Sequence, residues 1–271
     1  MAEQGPTLRL RLLSALALVP IALAVVVVGG WTYAVGVALL VILMALEWRR
    51  LSEARFGPRY GRLASAITLT VGLVATALTA LGRPRDAVVC VLIGVMLAGL
   101  TAWARAAAAM WASIGVALIG LPAVALVWLR AVPEMGLGLL LWLLIVVWST
   151  DTAAYAVGRG VRGPRLAPVI SPGKTWSGLG GGVIGASLAG AITAWALGSE
   201  RLLHAAGLGA VFAVLAQLGD LAESALKRCA GVKDSGSLIP GHGGVLDRVD
   251  GFLLTAPALA LLLGSRAWQW P

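Results

Sequence analysis

The stretch SALKRCAGVKDSGSLIPGHGGVLDRVD, Ser224 to Asp250, is a polar island in an apolar chain. It holds two of the chain's three lysines, one of its two histidines and three of its twelve acids. An apolar run precedes it at 203–222 and another follows at 251–265. How those flanks are read decides the fold, and composition decides the flanks. The chain is 59% hydrophobic and only 12% charged, whereas a soluble domain carries about 25% charged residues. Mean hydropathy is +0.92. The flanks are therefore read as membrane spans, and the island as a loop at the membrane surface.

Working outward, further apolar runs fall at 12–29, 31–46, 63–82, 87–104, 111–129, 135–150 and 178–198. A span needs about 20 residues, so the shorter runs must recruit their flanks. The expected fold is all-α: a polytopic transmembrane helical bundle of about nine spans. Glycine is abundant, 35 in all, and small residues let transmembrane helices approach closely. Arg9 and Arg11 precede the first run, which has no A-x-A-like cleavage site, so it reads as a span rather than a signal peptide. With the N-terminus cytoplasmic, sixteen of the 21 Lys and Arg residues fall on the inner side, as the positive-inside rule requires. All three lysines and nine of the twelve acids join them. The basic charge lies in short loops between spans, which argues against nucleic acid as a partner. Two cysteines, Cys90 and Cys229, are too few for a disulfide framework.

Two inner loops stand out, 151–177 and 223–250. Orientation explains their arginines but not their acids, which are costly near a membrane. Asp220, Glu223 and Lys227 are spaced i, i+3 and i+7, with Ser224 at i+4, and on a helix share one face. That face is either a solvated helix end or an ion or substrate site. Gly236, Gly241, Gly243 and Gly244, with Pro240, form a loop whose backbone N–H groups can approach an anion. Lys227, Arg228 and Lys233 add positive charge for phosphates. Asp247 and Asp250, i and i+3 at the start of the last span, are expected to reach one divalent cation. Arg248 between them reads as a surface anchor. His242 is balanced between a structural hydrogen bond and donation to a leaving phosphate. In the other loop, Asp151 and Tyr155 are i, i+4, and Lys174 follows a Pro-Gly turn. The glycines of 178–182 suit close helix packing or phosphate contact at a helix N-terminus.

The run S-x-L-K-R-x4-K-D-x-G-x2-I-P-x-H-G-G-V-x-D-R-V-D, Ser224 to Asp250, resembles the signature of the phosphatidate cytidylyltransferase (CDP-diacylglycerol synthase) family. D-T-A-A-Y-x2-G from Asp151 and S-P-x-K-T-W-x-G from Ser171 resemble other segments of that family. The family often has a basic residue where Gly173 stands and a glutamate where Ser177 stands. The resemblance covers about residues 145–255, which divides the chain into N-terminal membrane spans, 1–140, and a catalytic membrane region, 141–271.

The resemblance implies transfer of the cytidylyl group of CTP to phosphatidic acid, releasing pyrophosphate. Asp220, Lys227, Asp247 and Asp250 are the expected catalytic residues, with Asp220, Asp247 and Asp250 on Mg²⁺ and a second cation allowed. Asp151, Lys174, Glu223, Arg228, Lys233 and His242 are expected around the substrates. A homodimer and a cytoplasmic-facing site in a bacterial inner membrane are also implied. The competing readings are a cytidylyltransferase for another lipid phosphate, and an ion or lipid transporter.

Overall fold

A computed structural model of the chain describes residues 8–101, 104–236 and 243–265. In chain order these form α1 (Leu8–Val28), α2 (Gly30–Phe56), α3 (Pro58–Ala80), α4 (Pro84–Thr101), α5 (Ala106–Ala131) and α6 (Gly136–Val161). Then come β1 (Arg165–Ala167), β2 (Ser171–Thr175), α7 (Trp176–Ala196), α8 (Leu202–Cys229), α9 (Leu246–Val249) and α10 (Phe252–Gly264). Each apolar run read from the sequence coincides for most of its length with a helix. In hydrocarbon a helix satisfies its backbone groups internally, so these runs have little alternative. Among the described residues, α2 to α8 are seven helices long and apolar enough to cross a membrane. The apolar stretches Val19–Val28 and Phe252–Gly264 are shorter. The fold is all-α and polytopic.

The loop expected at 151–177 is largely regular structure. Helix α6 runs on to Val161, and the chain then turns through an antiparallel hairpin, with Arg165 paired to Thr175 and Ala167 to Ser171. The apolar pattern stops at 150, but helical hydrogen bonding does not require apolar side chains once the helix leaves the lipid.

Packing divides the chain into two units. The first contains α1 to α5 together with Lys227–Val249. Its core stacks Trp48 on Trp111 with ring centroids 5.0 Å apart. Gly115 permits this stack, because a Cβ there would lie 2.1 Å from Trp48 Nε1. Trp111 Nε1 donates to Ser52 Oγ at 2.9 Å, and Ser65 Oγ donates to Ala45 O at 2.8 Å. Between α2 and α3 the chain reverses at Gly57, whose φ of 91° favours glycine, and Pro58 then opens α3.

The second unit contains Pro133–Leu226 and the chain from Asp250 onward. Here α7 packs along α6 through its glycines. A Cβ at Gly181 would lie 2.5 Å from Val157, and one at Gly185 would lie 2.5 Å from Ala153. Of the two readings of the 178–182 glycines, the structure shows helix packing. Thr175 caps α7, its Oγ1 accepting from Gly178 N at 3.0 Å. Ser177 Oγ donates to Arg162 O and shares a 3.0 Å hydrogen bond with Thr175 Oγ1.

Candidate active site

In the second unit, α8 carries Gln217, Asp220 and Glu223 on one face at three-residue intervals. Asp250, in the turn before α10, joins them. Gly219 makes that approach possible: a Cβ there would lie 2.5 Å from the Asp250 carbonyl oxygen. One carboxylate oxygen from each of Asp220, Glu223 and Asp250 lies within 4.8 Å of the others. Glu223 is fully buried. From β2, Lys174 Nζ pairs with Asp220 Oδ2 at 2.6 Å. Ser224 Oγ donates to Asp220 Oδ1 at 3.2 Å, and Gly251 N to Asp250 Oδ1 at 2.7 Å. Gln217 is buried, and its Nε2 donates to Asp151 Oδ1 at 3.4 Å. Three carboxylates this close repel one another, and a hard divalent cation with oxygen ligands relieves that repulsion. The all-oxygen donor set therefore fits Mg²⁺.

In the first unit a second polar group forms around two acids. Asp247 Oδ1 accepts from Lys227 Nζ at 2.5 Å. Its Oδ2 accepts from Gly244 N at 2.8 Å, Ser235 Oγ at 2.9 Å and Ser235 N at 3.2 Å. The reach back to Gly244 follows the pattern of a capping box. Burial raises the Asp247 pKa, but the hydrogen bond and charge of Lys227, helped by Gly244 and Ser235, outweigh it. The carboxyl is held below its usual value. Glu47, from α2, is fully buried. It accepts from Val245 N and Leu246 N, each at 2.8 Å, and from Ser235 Oγ at 3.1 Å.

The structure thus brings together Asp151, Lys174, Asp220, Glu223 and Asp250 in one unit, and Lys227 and Asp247 in the other. Asp247 and Asp250, expected to reach one divalent cation, do not lie on one helix. Helix α9 ends at Val249, α10 begins at Phe252, and Asp250 lies in the turn. Tyr155 is exposed and its hydroxyl accepts from Arg159 Nη1 at 2.8 Å. Arg228, Lys233 and Arg248 are exposed, with Arg228 Nη1 donating to Val232 O at 3.1 Å. His242 lies outside the described residues, as do Pro240 and Gly241.

Two residues escaped the sequence reading. Gln217 was signalled by its place three residues before Asp220 in an otherwise apolar run. Glu47 was signalled by being an acid in the apolar run LMALEW, where positive-inside bias explains only the arginines that follow.

Seven helices long and apolar enough to cross a membrane, with a carboxylate cluster and a lysine beside it, mark the chain as an integral membrane protein with a polar site. The chain belongs to the cytidylyltransferase family, whose model matches residues 9–265. It is 36% identical over 263 residues to a phosphatidate cytidylyltransferase of Brucella suis biovar 1, covering 95% of this chain and 93% of that protein. It is 37% identical over 282 residues to the phosphatidate cytidylyltransferase of Pseudomonas aeruginosa, covering 97% and 100%. The enzyme of that name from Bacillus subtilis is 43% identical over 136 residues, half of each chain.

Proposed function

We propose that this protein transfers the cytidylyl group of CTP to phosphatidate, giving CDP-diacylglycerol and pyrophosphate. The observation that carries the reading is the Asp220–Glu223–Asp250 cluster with Lys174 beside it, in a chain whose near-full-length relatives bear that enzyme's name. A phosphatidate oxygen attacks the α-phosphorus of CTP. A new P–O bond forms, the bond from the α-phosphorus to the bridging oxygen breaks, and pyrophosphate leaves with that oxygen. Little covalent work falls to the protein, which must position two anions against their mutual repulsion.

Asp220, Glu223 and Asp250 would hold Mg²⁺. When bound, the ion supplies charge to offset that of the transferring phosphoryl group. Lys174 meets phosphate oxygens at the cluster, and Arg228 and Lys233 offer exposed cations for phosphate in their own unit. Asp151, held by Gln217, orients groups around the cluster. We move Asp247 out of the metal set, since its oxygens are already taken by Lys227, Ser235 and Gly244. Its task is to hold Lys227. The bias of basic residues supports a cytoplasmic-facing site in a bacterial inner membrane.

The test is pyrophosphate release by the purified protein from CTP, with and without phosphatidate and Mg²⁺. Release should require all three components. Release with another lipid phosphate but not with phosphatidate would replace the substrate. Lipid or ion flux in liposomes without any release would replace the reaction.

A further inference from the structure

We propose that Glu47 is a positioning residue for the transfer, holding the signature segment by its backbone; this rests on the reaction proposed above. Helix α2 grips the segment at both ends. Arg55 Nη1 donates to the carbonyl of Cys229, where α8 ends, and a cation suits a helix C-terminus. Glu47 takes the N–H groups of Val245 and Leu246, where α9 begins. The two residues are eight apart on one helix, a rise of about 12 Å.

The packing around Glu47 is specific to this purpose. A Cβ at Gly236 would lie 2.7 Å from Glu47 Oε1, and one at Gly244 would lie 2.0 Å from Ser235 Oγ and 2.8 Å from both Glu47 oxygens. The glycines that read as a cradle for a phosphate therefore close, at these two positions, on the protein's own carboxylate. Ser235 Oγ stands between Glu47 Oε2 and Asp247 Oδ2, at 3.1 and 2.9 Å. Glu47 thereby fixes the residue that fixes Asp247, and Asp247 fixes Lys227. A buried carboxylate in a span is costly unless it is met by donors. Here the donors are backbone groups of the one segment that carries the signature.

Glu47→Gln tests this with almost no change in shape. The amide has one acceptor oxygen and an NH₂, so either Val245 N–H or Leu246 N–H must face a donor. In detergent-solubilised full-length protein, hydrogen exchange at Val245 and Leu246 should accelerate about tenfold or more, with the amides of α3 to α5 unchanged. With CTP and phosphatidate, kcat should fall about tenfold or more while KM for CTP stays within about twofold. Should Glu47→Gln fold poorly, Arg55→Gln releases the other end from an exposed position, and tryptic cleavage after Lys233 should quicken about tenfold. Wild-type exchange at Val245 and Leu246 in Glu47→Gln overturns the anchor. Faster exchange with unchanged kcat overturns its bearing on transfer. A wild-type protein inactive on CTP and phosphatidate refutes the reaction instead, and the exchange comparison still decides the anchor.

Discussion

Asp247 and Asp250 stand three residues apart and live in different chemical worlds. Around Asp247 and Glu47, donors are supplied in fixed geometry: four contacts to one carboxylate and three to the other, most from backbone N–H groups and Ser235. Around Asp250, carboxylates gather: Asp220 and Glu223 offer oxygens within 4.8 Å. The first arrangement uses acids as struts, because their charge is met by the polypeptide itself. The second keeps acids close despite their repulsion, which is what a site for a cation looks like before the cation is counted. Residue type does not separate the two roles, but the neighbouring donors do.

The sharpest way to break that contrast is to neutralise one acid from each region. Asp250→Asn or Asp220→Asn should cut Mg²⁺-dependent pyrophosphate release by about 10³-fold or more, the order expected when charge stabilisation of a transition state is removed. Thermal unfolding of the Asp250 variant in the same detergent should move little. Asp247→Asn should be the reverse case. It removes the negative charge that meets Lys227, whose side chain is 11% exposed, and breaking a buried pair from one side is strongly destabilising. Its unfolding temperature should fall clearly, and kcat per folded molecule should fall about tenfold, far less than in the cluster variants. If the Asp250 and Asp247 variants lose stability equally, the division into cluster and strut is wrong.

Much of this was legible beforehand. The apolar runs gave the helices because lipid leaves the backbone one economical answer. The i, i+3 spacing of Asp220 and Glu223 placed them on one face because a helix face is a local property of sequence. The failures share a physical cause, which is that they depend on contacts distant in sequence or on backbone direction. Asp247 and Asp250 were read together at the start of the last span, and the turn at Asp250 and Gly251 separates α9 from α10. Glu47 is 188 residues from Ser235, and no periodicity links α2 to a loop that far away. The glycines signalled close approach correctly, but their sequence does not say which anion approaches. The hairpin of β1 and β2 was missed because strands of three and five residues are shorter than any alternation pattern can reveal.

The smallest expected effect comes from acid, and it reads the strut directly. The Asp247 carboxyl is held below its usual value, with burial opposing and the bonds from Lys227, Gly244 and Ser235 prevailing. A group whose folded pKa lies below its unfolded one, about 3.9 for Asp, stabilises the fold in full above the unfolded value and loses that contribution as pH falls through the folded value. The unfolding temperature should therefore hold level from neutral pH down to about 4 and decline below it. Asp247→Asn carries no titrating group at that position, so its curve should start lower and decline less across the same interval. Parallel curves for the two proteins would mean that the acid loss originates elsewhere, and that the donors around Asp247 hold its geometry without holding its charge.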